Sequence, residues 1–576
     1  MRKTARAATA LFNGATVPAA PITSSHPPSR WRSALAIGLV ITALALFGGN
    51  LGDNEAGKLA LARQAIEPGW IPTDWYLNNS QGYQWLFQQL SGRIVILLGF
   101  VPGSLLVRLL GYGAWAWALA GLTVPLGLTP ALAALAAALF SLQQGVVAAE
   151  WMVGSAEPKT FAYAAVLLAY AAWRERRWWR CGLYSGLACS LHLLVGSFAV
   201  VSLAGMALAR LVLETRTRRE PGWAGLGRWS AGAVLMGLPA GLAVAQKLLA
   251  PSVTATPHSS ASLPSAGWIY VVLRNPHHLL PSDWSAGDWA RIALLLGLFV
   301  LTAVAAGGWW PGRWRPRWQA RWQGPLQPND PCQRASRDLA LWVAMSWPLA
   351  LLGLLASRLP AAPKHALLSL YLFRLADTLL MLGLWLLLAA VLVRAVRRWG
   401  PGRKAQRRLQ AALVVVVLLI SLGGLARELP TAAAGWPRQF VASLEQAELY
   451  AWIRGHTPRS ALVLAPPSGF EDLSLQTGRP GFVQFKQIPT SALALQTWFE
   501  RLTALAGGDR GVWQGPGGWQ ARDRLLAAYG ALPPAALGRL AYDQGASVLI
   551  TSSQHSGPEG WAPAYRDGRW TAWQQP

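Results

Sequence analysis

Along the chain, apolar runs of membrane-spanning length alternate with short polar segments, at residues 33–51, 229–249, 292–308, 339–356, 378–393 and 409–425. A helix needs about 20 apolar residues to cross a hydrocarbon core of about 30 Å, and most of these runs carry no charge at all. From Pro430 onward the texture changes to short apolar runs separated by turn residues. There 460–465 and 546–550 read as buried strands, and 444–454 and 492–505 as helices. The fold class that follows is mainly α: a polytopic transmembrane helical bundle with a small C-terminal α/β domain.

Composition agrees with a bilayer setting. Of 576 residues, 53% are hydrophobic and only 13% charged, far from soluble usage. The net charge of +26 would ordinarily point to nucleic acid, but the Lys and Arg residues sit in clusters between apolar runs and on no single amphipathic face. Basic loops stay in the cytoplasm during insertion, so Arg30 and Arg32, 174–180, 216–228, 313–321 and 394–408 are placed inside. The loops near 52–82, 250–288 and 359–374, and everything after about 427, then fall outside. No nucleic-acid partner is expected. Residues 1–32, rich in Pro, Ser and Ala, read as a disordered cytoplasmic tail, 33–427 as the membrane domain, and 428–576 as a non-cytoplasmic soluble domain. The scheme gives about 11 spans, but its parity requires 127–157 to begin and end outside, as a hairpin or re-entrant element. Cys181, Cys189 and Cys332 show no pairing pattern and read as free thiols. Tryptophans such as Trp178, Trp179, Trp309 and Trp310 mark span ends.

Ionisable groups in or beside such spans are costly unless they pair or work. Asp53 directly follows the first span, and Asp74 lies further along the same loop. A carboxylate there can act as general base on an acceptor hydroxyl or help hold a divalent metal near a phosphate. Either acid could instead cap a helix, the simpler reading for Asp74 alone. Glu150, Glu157 and Lys159 fall in the topologically irregular stretch, where Glu157 and Lys159 could form one structural ion pair or meet substrate. His192 lies in an apolar hairpin, as a functional imidazole or as a donor to a neighbouring carbonyl. Arg274, His277, His278 and Asp283 share the second external loop, a set suited to an anion. Arg374 and Asp377 stand one helical turn apart and could neutralise each other, or Arg374 could face a lipid phosphate. In the C-terminal domain, Arg479 and Lys486 flank a short aromatic strand. P-loop, GxGxxG, HExxH and GxSxG motifs are all missing, which argues against an ATPase, dehydrogenase, zincin or α/β-hydrolase.

The patterns Asp-Asn…Asp-Trp-Tyr, Glu-Trp…Glu-Pro-Lys, Ser-Leu-His-Leu-Leu-Val-Gly, Pro-His-His-Leu-Leu-Pro and Phe-Arg-Leu-Ala-Asp resemble those of the GT-C superfamily of membrane glycosyltransferases. That group includes protein mannosyltransferases, aminoarabinose transferases and oligosaccharyltransferase catalytic subunits, and the chain looks closest to a bacterial branch sharing these patterns. The resemblance covers most of residues 33–500. It implies transfer of a sugar, with inversion, from a polyprenyl-phosphate donor in the outer leaflet of an inner membrane to an acceptor on the same face. Asp53 matches the loop-one acid and would be the base or metal-organising residue. Glu150 or Glu157 matches the second acidic position. Arg374, with Arg274 or Lys159, would bind the lipid phosphate. Asp74, His192, His277, His278 and Asp377 complete the candidate substrate-binding set. A transporter or flippase using His192 and Glu157 as proton-coupling groups, and a non-catalytic assembly protein, remain as alternatives. The transferase reading requires the acids, His277 or His278, and Arg374 to converge on one outward-facing cavity.

Overall fold

The computed structural model describes residues 29–46, 53–80, 84–213, 222–249, 263–308, 330–398, 402–435 and 446–575. The expected N-terminal tail lies outside the described residues up to residue 28, as does the tryptophan pair Trp309 and Trp310. Among the described residues, seven helices are long and apolar enough to cross a membrane, including Phe100–Thr123, Ala286–Gly307 and Pro331–Ala356. The chain is an integral membrane protein built mainly of helices.

The first half runs through α1 (Arg30–Ala45), α2 (Asp53–Ile66), α3 (Trp75–Asn79), α4 (Trp85–Leu98), α5 (Phe100–Thr123), α6 (Pro130–Leu142), α7 (Pro158–Arg174), α8 (Trp178–Leu191), α9 (Leu193–Leu213) and α10 (Trp223–Leu249). Local sequence sets several boundaries. Thr129 caps α6 by accepting from Leu132 N–H, with Pro130 in the first turn, where its missing N–H costs nothing. Pro158 opens α7 in the same way. Ser285 and Asp288 form a reciprocal capping box at the start of Ala286–Gly307. Gly182 and Gly186 lie on one face of α8, and a Cβ there would stand 2.1 Å from Trp229 O and 2.3 Å from Ala233 O. The small residues let the α8 and α10 backbones touch.

The chain path revises one expectation. Residues 127–157 form no re-entrant hairpin. Arg30, at the start of α1, donates to Trp117 O near the far end of α5, whereas Ala45 O, at the other end of α1, meets Tyr112. Thus α5 runs antiparallel to α1, and α6 returns along the bundle to a non-helical loop, 143–157, at the end opposite Arg30. Parity is restored because α4, only 14 residues long, packs along α2 and does not add a crossing.

At that same end, residues 446–575 fold around a four-stranded sheet of order β1-β2-β4-β3: β1 (Val463–Leu464), β2 (Val548–Ser552), β3 (Ala562–Arg566) and β4 (Trp570–Gln574). β1 pairs parallel with β2, and the other pairs are antiparallel. The helices Ala447–His456 and Ala492–Ala504 and strands β1 and β2 occupy the segments expected from the apolar pattern. Ile269 and Leu273 of the second loop are buried in one core with Phe485, Trp498 and Leu525, which ties the C-terminal domain to the bundle.

Beneath this junction Glu55 of α2 and Arg108 of α5 form a fully buried ion pair, with Arg108 Nε donating to Glu55 Oε2 at 3.0 Å. Glu55 also accepts from Ser104 Oγ at 2.6 Å and Ala156 N at 3.0 Å. Removing one partner strands a buried charge, at a cost of about 3–5 kcal/mol. We therefore expect Arg108→Met to lower the melting temperature markedly in detergent, and the double variant Glu55→Leu/Arg108→Met to recover much of the loss. Equal stability of wild type and Arg108→Met would contradict the pair's role.

Candidate active site

The loop 143–157 has no regular secondary structure, so its backbone groups need partners from elsewhere. Buried side chains supply them. Asp377 Oδ1 accepts from the amides of Val146, Val147 and Ala148 at 2.9, 2.8 and 3.2 Å, and its Oδ2 from Glu150 N at 3.4 Å. Gln144 Oε1 accepts from Met152 and Val153 N at 2.8 and 3.0 Å. Tyr112 donates to Gly154 O at 2.9 Å, and Glu55 holds Ala156. Gly145 allows the close approach, since a Cβ there would lie 2.5 Å from Asp377 Oδ2 and 2.7 Å from Glu150 O. Ala149 takes a positive φ of 48°, a strained conformation that these bonds impose.

The pinned loop presents Glu150, Trp151 and Glu157 to a cavity of about 420 Å³. Arg374 Nε stands 2.8 Å from Glu150 Oε2, and the guanidinium lies over the Tyr371 ring at 4.2 Å. Lys159 Nζ bridges Glu150 Oε1 at 3.9 Å and Glu157 Oε2 at 3.7 Å, and covers Trp151 at 3.6 Å. Lys58 of α2 adds a third cation to this wall. His192, at the break between α8 and α9, sets Nε2 3.4 Å from Arg374 NH1.

The opposite wall comes from the second loop and the C-terminal domain. Arg274 ends a π-helical turn, Ile269–Arg274, and Asn275 follows it; the C-terminal domain contributes Lys486 and Trp519. His277 and His278 lie between the walls with ring centroids 4.0 Å apart. Nδ1 of His278 lies 2.5 Å from Ala148 O. A carbonyl only accepts, so Nδ1 carries the proton and Nε2 a lone pair. Burial, reinforced by Arg274, pushes the His277 pKa down to about 4, and burial with the neighbouring His277 also lowers that of His278. Both imidazoles are therefore neutral near pH 7 and act as directional hydrogen-bond groups.

Of the residues singled out from sequence, Glu150, Glu157, Lys159, His192, Arg274, His277, His278 and Arg374 line this one cavity. Asp74 lies outside its wall: it caps α3 by accepting from Leu77 N at 2.9 Å, and its Oδ2 accepts from Ser474 Oγ at 2.7 Å and Gly481 N at 3.1 Å, a clamp between the first loop and the C-terminal domain. Asp377 likewise holds the loop and does not face the cavity, and its partners are amides in place of the expected Arg374. Asp53 opens α2, and its side chain lies outside the described residues. Arg479 donates to Thr477 O and Thr457 O within the C-terminal domain. Lys58, Tyr270, Tyr371 and Trp519 went unnoticed in the sequence, although a lysine one turn beyond Asp53–Asn54 was a usable signal. Among the described residues no three His, Cys, Asp or Glu side chains gather as a metal-ligand set. Among the described carboxylates of the cavity, Glu150 and Glu157 are both engaged by cations.

Residues 445–505, which include Lys486, match the model of a family described as a domain of unknown function (DUF6798). No curated protein matches the chain. Among solved structures, the chain is similar to ArnT from Cupriavidus metallidurans bound to undecaprenyl phosphate, at 13% identity over 94% of this chain and 97% of that one, with a TM-score of 0.45. It is also similar to the archaeal oligosaccharyltransferase AglB from Archaeoglobus fulgidus, in complex with an inhibitory peptide and a dolichol-phosphate. That match has 12% identity over 91% of this chain and 69% of that one, with a TM-score of 0.44.

Two expectations follow from the site. Asn at position 377 would turn an amide NH₂ toward donor amides, so Asp377→Asn should speed hydrogen exchange at 146–150 by about tenfold or more, given what a hydrogen bond to a charged group is worth. Unchanged exchange would show that the loop is held otherwise. The second concerns acid. A neutral buried His277 contributes stability that is fully present above its unfolded pKa of about 6.5 and is lost as pH falls through the folded value of about 4. His277→Gln should flatten the fall of melting temperature between these limits, and an identical pH profile would count against the assignment.

Proposed function

We propose that this membrane protein transfers a sugar from a polyprenyl-phosphate donor to an acceptor on the non-cytoplasmic face of a bacterial inner membrane. The observation that carries the reading is the cavity wall in which Lys58, Lys159 and Arg374 surround Glu150 and Glu157 at one end of an apolar helical bundle. Three cations against two carboxylates leave one positive charge over, which suits the single negative charge of a sugar phosphodiester. The orientation rests on the opposite end of the bundle, where Arg30, Arg210 and Arg394 pair with helix-end carbonyls and Asp338. Basic clusters there mark the cytoplasmic side.

In the reaction the acceptor oxygen bonds to the anomeric carbon while the bond from that carbon to the phosphate oxygen breaks, and negative charge accumulates on the departing polyprenyl phosphate. Preorganised cations at that oxygen stabilise the transition state more than the ground state. Arg374 is fixed by Glu150 and by the Tyr371 ring, so it needs no reorganisation. A carboxylate on the acceptor side removes the acceptor proton; Asp53 is the candidate, with Glu157 second. Glu150, engaged by both Arg374 and Lys159, positions the cations.

The test is release of polyprenyl phosphate from a panel of polyprenyl-phosphate sugars by the purified protein. We expect turnover that falls by about 10²–10⁴-fold in Asp53→Asn and comparably in Arg374→Ala. If no donor turns over while labelled lipid or solute crosses proteoliposome membranes, transport replaces transfer.

A further inference from the structure

The two arginines of the cavity differ in how they are neutralised. Arg374 and Lys159 share Glu150 and Glu157. Arg274 has no such partner: it is buried, with 6% of its surface exposed, and its hydrogen bonds go to neutral oxygens, Phe485 O at 3.0 Å and Asn275 Oδ1 at 3.4 Å. Glu471 is close enough to act on Arg274 electrostatically, but its oxygens are occupied by Ser468 and Gly469 and it does not line the cavity. Aromatic faces add to these contacts, with its guanidinium 5.1 Å from the Phe485 ring and 5.8 Å from Trp519. Lys486 lies over the same indole at 5.5 Å, and Arg522, paired with Asp523, at 4.7 Å, so three like charges converge on one ring at the cavity wall. Such an indole offsets only part of the cost of a buried guanidinium.

We infer that the cavity holds two anionic centres: the lipid phosphate at Lys58, Lys159 and Arg374, and a second anionic group, phosphate or carboxylate, at Arg274 and Lys486 beside Trp519. This rests on the proposed function and narrows its substrate class. A donor with one charge satisfies the first wall and leaves Arg274 without an anion in contact. The Tyr270 and Tyr371 rings, 6.1 Å apart and joined by a 3.4 Å hydroxyl contact, stand in the cavity lining with both arginines. Since Arg274 belongs to the second loop and Lys486 to the C-terminal domain, the second centre forms only where those two parts meet. The anion comes either from the donor, as a second phosphate, or from an acidic saccharide on the acceptor side.

The experiment measures binding to the full-length protein in nanodiscs with three probes: polyprenyl phosphate, polyprenyl diphosphate, and glucuronate added to protein already holding polyprenyl phosphate, with glucose as its neutral control. If the donor carries the second charge, diphosphate binds about tenfold or more tightly than monophosphate, on the scale of one charge-assisted contact. That preference disappears in Lys486→Gln and Arg274→Gln while monophosphate affinity is kept. If the acceptor side carries it, the two lipids bind alike, and glucuronate binds over glucose in wild type but not in the variants. Lys486→Gln removes a cation without touching the Arg274–Phe485 bond, so it answers even if Arg274→Gln misfolds. Monophosphate binding with no preference in either comparison overturns the second centre. Failure to bind polyprenyl phosphate at all overturns instead the function on which it rests.

Discussion

The structure depends on buried carboxylates satisfying a stretch of backbone that has no helix of its own. At the junction between bundle and C-terminal domain, Val146, Ala148, Glu150, Met152 and Val153 are buried, and an unpaired amide there would cost free energy. Asp377 takes four of those amides, and Glu55, itself neutralised by Arg108, takes another. Because these anchors come from α2, α5 and the helix Arg374–Arg398, the loop can exist only when the bundle is assembled. Its rigidity in turn fixes Glu150 and Glu157, and through them Arg374 and Lys159. The strain at Ala149 is what an over-determined functional loop shows.

From that loop outward the cavity is a meeting of separate pieces. The bundle contributes one cationic wall, the second loop contributes neutral imidazoles and Arg274, and the C-terminal domain closes the space with Lys486 and Trp519. Each contribution is anchored by contacts of its own, such as His278 on Ala148 O and Arg274 on Phe485 O. An environment lined in this way can receive a phosphate at the boundary of an apolar phase with most of its electrostatic field already in place.

Much of this was legible in the sequence because charges within apolar chain are rare and each asks for a reason. Glu150, Glu157, Lys159, His192 and Arg374 stood out on that ground and share one cavity. The pairing of Arg374 with Asp377, one of two readings the sequence left open, does not form, since proximity along a helix is a weak guide to proximity across a bundle. Arg374 and Asp377, one turn apart, point to different partners: the first to Glu150, the second to backbone amides. Residues 127–157 make no re-entrant element because α4, with 14 residues, lies along α2 and leaves α6 to make the return. Lys58 and Trp519 escaped notice because a lysine in a polar loop and a tryptophan near a glycine pair are ordinary features until folding brings them to one wall. The strands and helices of the C-terminal domain were readable from periodicity, but the role of that domain in closing the cavity depends on contacts far apart in the chain.

The central claim is that the wall of Lys58, Lys159 and Arg374, held by the pinned loop, is a lipid-phosphate site. It is tested most directly by an electron cryomicroscopy map of the protein in nanodiscs containing polyprenyl phosphate. Phosphate density is expected within hydrogen-bonding distance of Arg374 and Lys159, with the polyprenyl chain leaving toward the apolar surface of the bundle. Phosphate density elsewhere, with this wall occupied only by water and the Glu150 and Glu157 ion pairs unchanged, would contradict it.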